Sequence, residues 1–219
     1  MLTAIILDVE GTLIDCVPHV LACWQTVLAA AGHPFEHNEL QRYSGMDGAD
    51  MLDKLLPHLS QKEKKRILKV QAETYRQSYL QLGDPFPKVR ELLAGLKKRS
   101  LTIGIATSCK ADELRIYDKR MQVLEFVDAI ACGDDVRKGK PHPDLYYAVL
   151  KKLGLTELRR AMGVGDSPYD AIAAKSLGLR AAGVLTGGFS SVTLVKAGCE
   201  RILRDVRELD HLNCLRGGK

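Results

Sequence analysis

At 219 residues, 46% of them hydrophobic and 27% charged, the chain suits one large domain or a core with a modest second module, and its composition excludes a disordered protein. The net charge of +5 comes from small basic groups such as Lys97-Lys98-Arg99 and Arg137 to Lys140, interspersed with acids and poor in aromatic rings. These read as solvated helix faces compatible with an anionic small molecule, not as a nucleic-acid track. No apolar run is long enough to span a bilayer, and no basic flank with a long apolar region marks a signal peptide. The six cysteines form no Cys-x-x-Cys pair and no regular framework, so they read as reduced thiols of a cytoplasmic protein.

In chain order, Ala4-Ile5-Ile6-Leu7 is a run of apolar residues that reads as a strand buried on both faces. Asp8 emerges at its carboxyl end, with Glu10 two residues on and a glycine turn at Gly11-Thr12. In open α/β sheets ligands bind outside those strand ends, which poises the acidic pair for chemistry; taken alone, the tetrad also reads as an ordinary acidic turn. Asp15 or a neighbour caps the next helix, Pro18 fits its first turn, and Leu21, Trp24, Leu28 and Ala31 recur at helical spacing before Gly32 and Pro34 stop it. Trp24 reads as core. A short helix from Asn38 to Tyr43, a glycine-marked loop at Ser44 to Gly48 and a helix from Ala49 to Leu56 follow. Ser60 and Glu63 form a capping box that opens a long helix to about Leu82, with Ile67, Val70, Tyr75 and Leu82 as inward positions.

From Gly83-Asp84-Pro85 onward the pattern changes. Helices at about Lys88 to Arg99, Ala111 to Met121, Pro143 to Gly154, Pro168 to Gly178 and Ser191 to Ala197 alternate with strands at Leu101 to Ala106, Asp128 to Cys132, Ala161 to Val164 and Ala181 to Leu185, with a weak edge strand at Arg201 to Leu203. The alternation predicts an α/β fold with a doubly wound, mostly parallel, Rossmann-like sheet built from residues 1–15 and 84–219. Residues 16–83 are then an all-helical insertion with a hinge-like connection at each end, and the tail from Leu212 to Lys219 reads as frayed.

Three further polar signals each follow an apolar run: Thr107-Ser108 after Ile103 to Ala106, Lys140-Pro141 after Ala129 to Cys132, and Asp166-Ser167-Pro168-Tyr169-Asp170 after Met162 to Gly165. With Asp8 to Thr12 they make a carboxylate nucleophile, a hydroxyl, an ammonium and a metal-type acidic pair. The set resembles the haloacid dehalogenase superfamily of phosphohydrolases, and within it the members with a small helical cap after the first motif, such as phosphoglycolate phosphatases. The resemblance implies a Mg²⁺-dependent phosphatase acting on a small phosphorylated metabolite. By that resemblance Asp8 attacks phosphorus to form an aspartyl phosphate, and Glu10 protonates the leaving oxygen and then activates water. Gly11 lets the backbone approach the phosphate, Thr107 and Ser108 supply a hydroxyl and N–H groups, and Lys140 pairs with the nucleophile; Lys138 is its rival, but only Lys140 has the Lys-Pro context the family shows. Mg²⁺ is expected on Asp8, the main-chain carbonyl of Glu10 and Asp166, with Asp170 helping through water; Asp170 also reads as a residue of the first helical turn. The loop carrying Tyr43, Gly45, Met46 and Asp47 is expected to read the substrate, or else to be plain turn chemistry.

One position departs from the family pattern, which has Asp where this chain has Glu10; some branches, enolase-phosphatases among them, carry Glu there. A sugar-phosphate mutase of the beta-phosphoglucomutase kind uses the same core and stays open, as does a catalytically weak binding or regulatory protein with this fold. A phosphonoacetaldehyde hydrolase is disfavoured because residues 17–32 contain no lysine, and a dehalogenase has little use for Asp166 and Asp170 together with Glu10. Monomer and homodimer are both open.

Overall fold

The structure is a computed structural model in which residues 2–212 are described; beyond Leu212, the tail expected to fray lies outside the described residues. In chain order the elements are β1 (Ala4–Leu7), β2 (Ile14–Asp15), α1 (Val17–Ala30), α2 (His37–Gln41), α3 (Gly48–Leu55), α4 (Gln61–Ser78), β3 (Asp84–Pro85) and α5 (Val89–Lys98). There follow β4 (Thr102–Ala106), α6 (Ala111–Met121), β5 (Ala129–Ala131), α7 (Asp144–Leu153), β6 (Ala161–Gly165), α8 (Pro168–Ser176), β7 (Arg180–Val184), α9 (Ser191–Lys196) and β8 (Arg201–Leu203).

Six of the strands form one sheet in the order β5-β4-β1-β6-β7-β8, every neighbouring pair parallel. β1 lies between β4 and β6, with Ile5 opposite both Ile103 and Met162. The unbroken apolar run of β1 has a direct cause in the layering. Side chains alternate between the two faces of a strand, and here Ile5 and Leu7 join the core formed with α5 and α6, while Ala4 and Ile6 join the core formed with α7 and α8. Both faces are covered, so neither set of alternate positions is polar. The edge strand at Arg201–Leu203 pairs with β7 as expected.

Residues 17–82 are helical, and α1 packs on α2 and α4. The two chain segments that connect them to the sheet are not independent: β2 and β3 pair antiparallel, Ile14 with Pro85 and Asp15 with Asp84. The capping box that opens α4 is formed, the Ser60 N–H donating to Glu63 Oε2 at 2.9 Å. Two of its expected inward positions are not inward: Val70 is 41% and Leu82 50% exposed. The buried stripe of α4 runs through Lys64, Ile67 and Tyr75, which leaves Val70 on its shoulder, and Leu82 follows a break at Tyr79 where helical spacing no longer applies. At the start of α1 the capping position is Cys16, which makes no side-chain cap bond, while Asp15 is spent in the β2–β3 pair. Trp24 is buried, as read. The five described cysteines are free and buried, and among the described residues no helix is long and apolar enough to cross a membrane.

Candidate active site

Asp8, Thr107 and Asp166 follow directly on β1, β4 and β6, three neighbours at the middle of the sheet, so parallel pairing alone brings their side chains to one crevice. The Asp8 N–H still donates to the Val164 carbonyl at 2.9 Å, which holds the residue at the strand end. Lys140 arrives from the loop after β5 and is 1% exposed; Lys138 is exposed on the outside. The Lys140 ammonium lies 2.6 Å from Asp8 Oδ1 and 2.6 Å from Asp170 Oδ1. Burial works against that ammonium, yet Asp170 and Asp8 hold it above its ordinary range. Burial pushes the Asp8 carboxyl up to about 6; Lys140 opposes the rise and Asp170 adds to it.

Asp170 is not a surface residue. It is 3% exposed and has two roles, because its Oδ2 accepts the Ser167 N–H and hydroxyl in the capping box of α8 while its Oδ1 faces Lys140 and the Tyr146 hydroxyl. Carboxylate oxygens of Asp8, Asp166 and Asp170 come within 4.8 Å of one another. Burial, then the charges of Asp170 and Asp8, push the Asp166 carboxyl well up. One ammonium therefore faces three buried acids with Glu10 beside them. That is a set of hard oxygen donors short of positive charge, and it fits a divalent cation such as Mg²⁺.

Glu10 shares the crevice with Asp8, so the expected convergence of the pair is present. Its longer side chain meets a partner that sequence reading missed: the Tyr117 hydroxyl donates to Glu10 Oε1 at 3.3 Å, and Tyr117 and Tyr75 hydroxyls are 2.6 Å apart. Burial pushes the Glu10 carboxyl up to about 8, helped by the charges of Glu113 and Asp8. Glu113 was missed as well. Glu113 and Tyr117 are one turn apart on the buried face of α6 with Leu114 and Met121, and a glutamate on an apolar stripe is the signal that could have found them. Gly11 turns the chain at φ +76, and a Cβ there would lie 2.3 Å from Asp166 Oδ2. The glycine thus lets the turn close against the acid of β6.

The expected hydroxyls divide. Thr107 Oγ1 is occupied with Cys109, accepting its N–H at 3.3 Å. Ser108 Oγ is buried and unpartnered, and Ser108 lines the crevice. The crevice is a small chamber of about 40 Å³ walled by Asp8, Glu10, Ser44, Ser108, Lys140 and Asp166. Glu10, Val20, Ser44, Gly45 and Ser108 also line a second, adjoining cavity of about 340 Å³.

The loop after α2 closes over this site. The Asp47 N–H donates to the Lys140 carbonyl at 2.8 Å, Gln41 Nε2 donates to the Gly187 carbonyl at 2.7 Å, the Tyr169 hydroxyl donates to the Arg42 carbonyl at 2.5 Å, and His142 lies 3.2 Å from Asp50. Gly45, at φ +83, sits so close to Ser167 that a Cβ would be 2.6 Å from its Oγ. Tyr43, Gly45 and Met46 reach the wall of the larger cavity. Asp47 does not line it: its carboxylate caps α3 by accepting the Ala49 and Asp50 N–H groups.

Residues 5–184 match the family model described as haloacid dehalogenase-like hydrolase. The chain is 31% identical over 185 residues to a phosphoglycolate phosphatase of Yersinia pseudotuberculosis, covering 82% of this chain and 79% of that protein. It is 27% identical over 203 residues to a phosphorylated carbohydrates phosphatase of Thermotoga maritima, covering 92% and 94%. A crystal structure of a hydrolase from Pseudomonas syringae superposes with a TM-score of 0.88 at 32% identity over 96% of this chain and 98% of the other.

Proposed function

Because the chain belongs to the haloacid dehalogenase-like hydrolase family, we propose that it is a Mg²⁺-dependent phosphatase that cleaves a small phosphomonoester through an aspartyl phosphate. One arrangement carries this reading: Asp8, held by Lys140 at 2.6 Å, faces a chamber of about 40 Å³ that Ser108, whose hydroxyl is buried and unpartnered, also lines. A cavity holds a water in roughly 10–15 Å³ of such space, so this one suits the three free oxygens of a phosphoryl group.

An Asp8 carboxylate oxygen attacks phosphorus, the ester P–O bond breaks, and the leaving oxygen takes the proton of Glu10. The Glu10 carboxylate then removes a proton from water, whose oxygen attacks the phosphorus of the aspartyl phosphate. Inorganic phosphate leaves and Asp8 is restored. Lys140 orients Asp8 and offsets charge on the phosphoryl oxygens, and Asp170 keeps Lys140 in place through the buried pair. Tyr117 fixes the direction of the Glu10 carboxyl. Asp8, Asp166 and the Glu10 carbonyl would hold Mg²⁺, with Asp170 assisting through water; when bound, the ion supplies the positive charge that three buried acids and a phosphate require. Residues 16–83 act as a helical cap whose loop from Gln41 to Asp50 excludes water from the closed site, and the buried free cysteines suit a reducing, cytoplasmic setting.

The test is release of inorganic phosphate from a panel of phosphorylated metabolites, phosphoglycolate included, with Mg²⁺ or with EDTA. Turnover that needs Mg²⁺ and is abolished in Asp8→Asn is the expected result. Metal-independent turnover, or an active Asp8→Asn enzyme, overturns the reading.

A further inference from the structure

Resting on the phosphatase reading, we infer that the leaving group of the true substrate is large, uncharged and mainly apolar, an alkyl or aryl alcohol and not a small acid such as glycolate. The space beyond the phosphoryl chamber is the reason. It measures about 340 Å³ against about 40 Å³ for the chamber itself, and Glu10, the residue that hands its proton to the leaving oxygen, lines both. A leaving group therefore extends into the larger cavity from the point where the ester bond breaks.

The walls of that cavity are more apolar than polar, with Ser44, Gln71 and Ser108 among the polar residues. Leu21 and Trp24 come from α1, Leu40 and Met46 from the closing loop and its flank, Met51 from α3 and Leu68 from α4. The charged groups facing it are Glu10, Glu113 and Lys110. Lys110 is exposed, its backbone N–H donates to Glu113 Oε2 at 2.8 Å, and its charge opposes the rise that burial imposes on the Glu113 carboxyl. Among the described residues Lys110 is the one cation lining the cavity, and two acids, Glu10 and Glu113, line it as well. A carboxylate-bearing leaving group would be desolvated beside two acids with the exposed Lys110 as its one cation, which is unfavourable, whereas a hydrocarbon leaving group covers the apolar part of the wall. A glycolate leaving group would also leave most of the cavity unfilled.

The experiment uses n-alkyl monophosphates from methyl to octyl, with phosphoglycolate and p-nitrophenyl phosphate, on the full chain with Mg²⁺. Alcohol acidity hardly changes along the alkyl series, so chemistry is constant and kcat/KM reports the cavity. At about 0.8 kcal/mol per buried CH₂, each methylene should raise kcat/KM roughly fourfold, and hexyl should exceed methyl by on the order of 10²- to 10³-fold. Phosphoglycolate should fall below butyl phosphate. A flat series, or phosphoglycolate above every alkyl ester, overturns the inference. The matching n-alkylphosphonates, which cannot be turned over, are titrated by calorimetry. If no ester is hydrolysed yet phosphonate affinity climbs with chain length, the phosphatase reading fails and the apolar site stands; if affinity is flat, the site assignment fails too. Ala72→Leu adds bulk to the cavity wall at a half-buried helical position, so the favoured alkyl length should become shorter by one or two carbons. An unchanged optimum contradicts the placement of the leaving group.

Discussion

Deleting the Tyr117 hydroxyl tests how the helical segment, α6 and Glu10 are tied together. Tyr117 is 1% and Tyr75 5% exposed, and their hydroxyls are 2.6 Å apart. Burial pushes both phenols far up, so they remain neutral and the contact is an ordinary hydrogen bond. Tyr117→Phe leaves the buried Tyr75 hydroxyl with Cys16 as a weak partner and removes the donor to Glu10, which should cost about 1–3 kcal/mol of stability. Tyr75→Phe should cost less, about 1 kcal/mol, because the Tyr117 hydroxyl keeps Glu10 as a partner at 3.3 Å. In the double variant neither hydroxyl is left unpaired, so the loss should be smaller than the sum by about 1 kcal/mol. Urea unfolding of the four proteins measures the cycle. Activity gives a second reading: an undirected Glu10 carboxyl in Tyr117→Phe should lower kcat by roughly 10- to 100-fold, since misplacement of an ångström can cost that much. Tyr75→Phe leaves the donor to Glu10 in place and should lower kcat far less. Additive stabilities together with an unchanged kcat in Tyr117→Phe would refute the reasoning.

Saturating Mg²⁺ at about 100 times its Kd should stabilise the protein by about 2.7 kcal/mol, a rise of roughly 5–11 °C in Tm, and Asp166→Ala should lose most of that rise in a thermal melt; an equal rise in both proteins removes Asp166 from the donor set. Glu10→Gln should lower turnover by about 10²- to 10⁴-fold while a burst of p-nitrophenol persists and phosphate accumulates on Asp8, read by mass spectrometry of the quenched protein; absence of the added phosphate with near-normal turnover would give the proton to another group. In EDTA, stability should fall as pH rises through about 6, because the Asp8 carboxyl is raised from 3.8 to about 6 in the folded chain. The folded state holds that proton more tightly, so its contribution is complete below 3.8 and lost above 6. Asp8→Asn should flatten this part of the curve, and a wild-type curve already flat between those values contradicts the assignment.

What the sequence alone determined is what local pattern can encode. Ala4 to Leu7 reads as a doubly buried strand because both alternating sets of side chains are apolar, and the polar residues that end each run follow at once as strand-end residues. Ser60 and Glu63 mark a helix start because the reciprocal bonds need only three residues. The expected order of β1, α5, β4, α6, β5, α7, β6, α8 and β7 follows from the same kind of reading. Tertiary structure decided everything that depends on distance in sequence. The two-residue strands β2 and β3 are too short to show any period, and their pairing exists only because the chain leaves the sheet and returns at the same place. Lys140 is set apart from Lys138 in the sequence by the Pro141 that follows it, but its pairing with Asp8 and Asp170 is decided by burial between them. Asp170 looks like a helix cap in sequence and becomes an ion-pair partner because α8 begins beside the end of β1. The link from Tyr75 through Tyr117 to Glu10, and the apolar cavity beyond it, are assembled from separate helices. A propensity or a spacing specifies which face of an element is buried, but not which other element covers it, and the covering element is what turns a strand-end carboxylate into a site with a defined partner, charge and volume.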